Sequence, residues 1–400
     1  MNRRLRQCDI IPEQGVELLK TSIRAILLMC FAAVILTVSA CGNTSAGGAA
    51  GGAGEVIKVG MTADLTGKSA LTGEFKKRGA QIALDEINGA GGIQGKKLEL
   101  VVEDDRGTND GMVSAFQKLI ADPEIVAVIG PITSTMSLAI DQITKRTGVP
   151  VMIGGTNVEL TTELKNKWFF RFRPSDAYAA KTIVDFSTDK LGKTKAAIVY
   201  DTDAFGTAGK DLLVAEYKKR NMTPVVTEGV TANTKDFTPV LENIRKSGAD
   251  IINVYMTLSA DIAQLVVQMR QLGVNAELIS CAAGAQTTTI KLAGDKLDGI
   301  YGVNDFALDQ SEETKRFVAK FSSKYTDNPD LYSGWVYDAL NVLAKVIEER
   351  GSDPDQIREG ILAIKGYKGV EGEYDFDELG DGLHAYSVVK VENGRVVTVK

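Results

Sequence analysis

The run Gly130-Pro131-Ile132-Thr133-Ser134-Thr135-Met136-Ser137 carries the clearest chemistry in this sequence. It leaves the apolar stretch "IVAVIG" and leads into a helix that should begin near Ser137. Free backbone N–H groups at that helix start, with the hydroxyls of Thr133, Ser134 and Thr135, would form a neutral cradle for a carboxylate. Simple capping of the helix by Ser or Thr is the plainer role, and both can coexist at one helix start.

Other chemistries are poorly supplied. The single histidine, His384, stands beside the C-terminal segment with no G-x-S-x-G pattern near it, and reads as a surface residue. One histidine and one body thiol do not make the usual zinc sets. The acidic run "EDDRGTNDG" lacks calcium-loop spacing and reads as a strand end with a solvated turn. In "GMTADLTGKS" six residues separate Gly60 from Gly67, where a phosphate loop needs four. Asp201 and Asp203 could do acid–base work, but such a pair suits a hinge better. No catalysis, metal or cofactor is expected.

The elements that must position the hydroxyl-rich loop alternate along the chain. Short β-rich runs ("VIKVGMTA", "KLELVVEDD", "IVAVIG", "VPVMIG", then "KAAIVYD", "TPVVTEGV", "DIINVYM", "AELISCA") are separated by amphipathic stretches. Most are apolar nearly throughout, as parallel strands covered on both faces should be. Phe75, Ala80, Ala83, Leu84 and Ile87 share one helical stripe, and Ile262, Leu265, Val266 and Met269 share another; Gly89 and Gly273 follow them. The alternation resets near "RFRPSDAYAA" and resumes at Lys195, which predicts two similar doubly wound α/β lobes. Three helical segments and a hairpin turning at Asn393-Gly394 come last, so the chain should return to the first lobe.

The N-terminus reads as an export leader. Basic residues precede an apolar run from Ala25 to Val38, shorter than the roughly 20 residues of a spanning helix. Ser39 and Ala40 directly before Cys41 have the form of a bacterial lipobox, in which Cys41 is lipidated and begins the mature chain. Residues 42–54 then form a Gly/Ala/Ser leash with an expected end-to-end distance of roughly 20 Å. Residues 1–40 are thus the signal and 41–54 the lipidated linker. Of the four cysteines only Cys281 stays in the body, so no internal disulfide is available. Without its first forty residues the chain has 41 basic and 49 acidic side chains, and no basic patch or aromatic–basic interleaving suggests nucleic acid.

From Val56 onward the sequence resembles the branched-chain amino-acid type of ABC-transporter substrate-binding protein, with the type I periplasmic-binding fold. The motifs that carry the resemblance are "VGMTADLTGKSALTGEFKKRGAQIALDEINGAGGIQGKKLELVVEDD", "AVIGPITSTMSLA", "GVPVMIGGTNVELT", "RFRPSDAYAA", "AIVYDTDAFGTAG", "WVYDAL" and "YDFDELGD", in that order. The resemblance implies two lobes joined by three hinge crossings, near Pro174, Asn304 and Tyr374. Residues 55–174 with 304–373 would form lobe 1, and 175–303 with 374–400 lobe 2. Ligand would sit between them at the carboxyl ends of the strands.

By the family's pattern Ser134 binds the ligand's carboxylate, and Gly154, Gly155 and Thr156 in "IGGTN" stand where a small residue and a hydroxyl face the ligand. For the glycines a tight turn with positive φ is the plain alternative. Phe205 matches an aromatic that closes over the ligand, Tyr332 one near its side chain, and Thr72 stands where a tyrosine is common. Core packing is an equal role for both aromatics.

Two departures bear on specificity. Ala282 occupies the place of the second-lobe acid that pairs with the ligand's ammonium, and Leu258 the place of a second aromatic. A buried ammonium without a counter-charge costs several kcal/mol. Either another acid, such as Asp203 or Asp305, reaches the cleft, or the ligand lacks an ammonium group. The resemblance therefore implies a monomeric, lipid-anchored capture protein outside the cytoplasmic membrane that delivers a small amino acid to an ABC permease. A carboxylate or amide binder and a ligand-sensing receptor module remain open alternatives.

Overall fold

The computed structural model describes residues 56–399. From the N-terminal side, β1 (Val56–Ala63), α1 (Ala70–Gly89), β2 (Lys97–Asp104), α2 (Asn109–Ile120), β3 (Ile125–Ile129), α3 (Ser134–Thr147), β4 (Val151–Ile153), α4 (Glu159–Thr162) and β5 (Phe169–Arg171) form the first lobe. Its sheet is parallel throughout, in the order β2-β1-β3-β4-β5. The series then begins again with α5 (Asp176–Asp185), β6 (Ala196–Asp201), α6 (Ala204–Lys219), β7 (Val226–Val230), α7 (Thr238–Ser247), β8 (Ile251–Tyr255), α8 (Ser259–Gln271), β9 (Glu277–Ser280), α9 (Thr287–Ala293) and β10 (Tyr301–Asn304). Last come α10 (Glu312–Tyr325), α11 (Leu331–Arg350), α12 (Pro354–Leu362), the short pair β11 (Tyr367–Lys368) and β12 (Glu373–Tyr374), and the hairpin β13 (Ser387–Glu392) and β14 (Arg395–Thr398). The second sheet runs β14-β13-β10-β9-β8-β6-β7, parallel except where the hairpin adds antiparallel to β10.

Apolar strands such as "IVAVI" and "IINVY" are buried because helices cover both faces of each sheet. The helical stripes face inward as their spacing requires, with Phe75, Ala80, Ile262, Leu265 and Met269 all buried. Each lobe has its own core. Val59, Met61, Phe75, Phe317, Trp335 and Ile357 belong to the first, so α10–α12 do return to it. Ile198, Val254, Leu265, Ile279 and Val389 belong to the second. The hairpin turn has positive φ at both Asn393 (51°) and Gly394 (69°), the geometry an Asn-Gly pair favours.

Chain passages between the cores fall between Phe172 and Ala179, between Val303 and Phe306, and between Leu383 and Val389. The third lies beyond the Tyr374 expected from sequence. Tyr374 is fully buried in the first lobe, its hydroxyl donating to Asp338 at 3.1 Å and its ring 5.4 Å from Phe172. The segment after it also pairs with β5, through Arg171 N–H to the Gly380 carbonyl at 2.8 Å. Three smaller expectations change as well. β5 and β10 are strands beyond the eight β-rich runs, α3 begins at Ser134 rather than near Ser137, and Gly89 ends α1 from inside, with positive φ deferred to Gly91 (109°).

Candidate ligand-binding cleft

A cleft of about 840 Å³ of empty space, its open mouth included, lies where the carboxyl ends of the two parallel sheets face each other. Of the residues singled out from sequence, Thr72, Thr133, Ser134, Thr156, Phe205, Leu258, Ala282 and Tyr332 line it. Thr135, Gly154 and Gly155 do not. The two glycines are there for packing: a Cβ at Gly154 would stand 2.6 Å from Ile132 Cδ1, and one at Gly155 2.9 Å from Leu160 Cδ1 and from Ser137 Oγ. Neither has positive φ, so neither serves as a left-handed turn residue. The buried Thr135 hydroxyl has no hydrogen-bond partner among the described residues.

The start of α3 separates capping from display. Thr133 is the cap, its Oγ1 accepting from Met136 N–H at 3.3 Å. Ser134, 1% exposed, accepts through Oγ from the backbone N–H groups of Thr156 (3.2 Å) and Asn157 (3.1 Å). With both lone pairs so engaged, the Ser134 proton is free to be donated into the cleft. Thr156 follows β4 and is 3% exposed at the cleft wall.

Across the cleft, Phe205 packs 5.0 Å from Tyr255, so it is at once a lining and a packing residue. The Tyr332 hydroxyl on α11 shares a hydrogen bond of 3.1 Å with Ser259 on α8, joining the two lobes directly. Tyr332 is fully enclosed, and burial pushes its phenol well above its ordinary value.

The cleft also has a charged lining that no local motif announces. Asp64, Lys68, Arg173 and Asp176 all line the cleft, whereas Asp203 and Asp305 do not. Asp203 caps α6 through Gly206 N–H at 2.7 Å and accepts from the Thr257 hydroxyl at 2.6 Å. Asp305 is paired with Arg173. Asp64 follows β1, and burial raises its carboxyl to about 6 against the opposing pull of Lys76. Lys76 is itself buried, donating to the Thr62 carbonyl at 2.7 Å, and desolvation pushes its ammonium down. Asp176 opens α5 after the Ser175 cap, and its Oδ1 accepts from the Tyr255 hydroxyl at 2.7 Å. Burial raises its carboxyl to about 6, with Tyr255, Thr156 and two arginines opposing. The available signal was an acid at the end of an apolar strand (Asp64) and an acid just past the first lobe (Asp176).

Two further expectations are corrected. Asp201 and Asp203 sit at the end of β6 and at the start of α6, not at a passage between lobes. His384 is half-buried, its Nε2 2.9 Å from the Asp375 carbonyl and its ring edge-on to Tyr178, so it is not a plain surface residue. Cys281 is a buried free thiol donating to the Met256 carbonyl, and Cys41 lies outside the described residues.

Comparison with known proteins matches this architecture. The leucine-, isoleucine-, valine-, threonine- and alanine-binding protein of Pseudomonas aeruginosa is 24% identical over 330 residues, covering 82% of this chain and 88% of that protein. The structure of the branched-chain amino acid transporter substrate-binding protein LivJ of Streptococcus pneumoniae, in complex with isoleucine, superposes with a TM-score of 0.78 at 24% identity, over 86% of this chain and 100% of that one. An ABC-transporter solute-binding protein from R. palustris in complex with benzoate superposes at 0.79 with 18% identity, over 86% and 96%. Since the sequence model described as periplasmic binding protein matches residues 56–395, the two-lobed chain with its interlobe cleft belongs to the periplasmic binding protein family.

Proposed function

We propose that this chain is the extracytoplasmic solute-binding lipoprotein of an ABC importer, capturing a small amino acid, branched-chain or related, between its lobes and delivering it to the permease. The observation that carries this reading is the cleft itself. A free Ser134 hydroxyl proton at the start of α3 faces an apolar and aromatic wall containing Phe205, Leu258 and Ala282. A ligand touching both lobes stabilises the closed form by its differential affinity for it, and a permease can recognise that shape. No bond of the ligand need change. Cys41 would carry the lipid and residues 42–54 the leash, with the body acting as a monomer.

The absence of an acid at Ala282 favours a second reading, capture of a carboxylate without an ammonium group, and the benzoate-bound neighbour has the same fold. A thermal-shift screen of the full chain against amino acids, amides, and aliphatic and aromatic acids tests both, because a ligand well above its dissociation constant raises apparent stability. Stabilisation by aliphatic amino acids supports the first reading. Stabilisation by plain acids alone replaces it with the second.

A further inference from the structure

Ala282 leaves open the question of what would neutralise a ligand's ammonium in this cleft. Asp176 is 2% exposed and lines it. One carboxylate oxygen is held by the Tyr255 hydroxyl at 2.7 Å, and the other, Oδ2, is buried with no close hydrogen-bond partner among the described residues, the Thr156 side chain being the one neutral donor that acts on this carboxyl besides Tyr255. The nearby cations are already engaged. Arg171 Nε donates to Asp381 at 2.9 Å, and Arg173 holds Asp305 through two bonds of 2.7 and 3.0 Å. The group of Arg171, Arg173, Asp305, Asp381 and Asp176 therefore carries one negative charge more than it has cations. Cys281, the residue next to Ala282, lines the same cleft as Asp176; burial pushes its thiol up, with Asp176 and Asp201 adding smaller repulsion.

Buried carboxylate oxygens are seldom left unpartnered, because the desolvation cost of the group goes uncompensated. Asp64, the other lining acid, also has a buried oxygen without a partner, Oδ1, but Lys76 opposes its charge and is not held by another acid among the described residues, whereas the arginines near Asp176 are paired with Asp381 and Asp305. Resting on the amino-acid reading above, we propose that Asp176 Oδ2 accepts the ligand's ammonium in place of an acid at position 282, which makes the cleft selective for α-amino acids over the matching 2-oxo acids.

The test is calorimetric titration of the full chain with L-leucine and with 4-methyl-2-oxopentanoate, in wild type and in Asp176→Asn, which preserves the acceptor for Tyr255. Wild type is expected to favour leucine by at least about tenfold. Asp176→Asn should lower leucine affinity by at least about 30-fold, the usual scale for leaving a buried charge unpaired, and change oxo-acid affinity by less than about threefold. A merely structural role would weaken both ligands together. Equal binding of the two by wild type overturns the proposal without any variant, so a variant that fails to fold does not shield it. Retained leucine preference in Asp176→Asn, or its loss only in Asp64→Asn, overturns the Asp176 assignment alone. A chain that binds no aliphatic amino acid in a full panel overturns the amino-acid reading beneath it.

Discussion

The Arg173 guanidinium grips the Asp305 carboxylate through Nε at 2.7 Å and Nη2 at 3.0 Å, tying the first passage between the lobes to the second. Both side chains are buried. Removing one partner of a buried ion pair strands the other charge, at a cost of about 3–5 kcal/mol. Asp305→Ala should lower the unfolding free energy by that amount in urea titration at pH 7. A double replacement by apolar residues of similar volume should recover most of it.

The approach of α1 to α11 depends on a missing side chain. A Cβ at Gly79 would stand 2.2 Å from the Ser333 carbonyl oxygen, a backbone atom that cannot swing aside. Gly79→Ala should therefore destabilise by about 1–3 kcal/mol despite alanine's better helix propensity. Guanidinium midpoints for the two proteins decide it.

Thr133 and Ser134 should separate under substitution. Thr133→Ala removes the cap on α3 and should cost about 1 kcal/mol of stability, read by denaturant titration. Ser134→Ala removes a hydroxyl donor facing the cleft, and should weaken a carboxylate ligand by about 1.5–3 kcal/mol in calorimetry, the scale of a hydrogen bond to a charged group. Equal effects of both substitutions on binding would return Ser134 to a purely structural role.

Asp201 should make stability depend on pH. Burial raises its carboxyl to about 7, with Asp203 and Asp261 adding repulsion and Thr257 opposing. A folded-state value above the unfolded one means the native state holds the proton longer. The contribution of Asp201 is then complete below the unfolded carboxylate range near pH 4, and is lost as pH rises through about 7. Asp201→Asn, which stays neutral, should gain on wild type steadily from pH 4.5 to pH 7.5, as urea midpoints at several pH values would show.

Cys41 should decide membrane attachment. If the proposed lipid anchor is on Cys41, its replacement with alanine removes the acceptor thiol, and the protein should move from the membrane to the soluble fraction on cell fractionation. Unchanged membrane retention would mean that another feature anchors it.

How much of the site could be read in advance depended on which residues advertise themselves locally. The hydroxyl cluster at Thr133–Thr135 stood out because it interrupts an apolar strand and a helix. Asp176 did not, since an acid in the first turn of a helix is common and its burial against Tyr255 comes from a strand 79 residues further along. Tyr374 misled for a related reason. Set among acidic residues in "YDFDELGD", it gives no local hint that Asp338 and Phe172 enclose it.

The alternation of most strands and helices, the covered parallel sheets and the two-lobed plan were determined by the sequence alone, because hydrophobic period and turn residues are properties of neighbours in the chain; the short strands β5 and β10 were not. Which hydroxyl caps and which faces the cleft, where the third passage falls, and which carboxylate oxygens stay without a partner were decided only by the tertiary structure. Those outcomes depend on desolvation and on pairing between groups far apart in sequence, and neither exists until the two lobes come together.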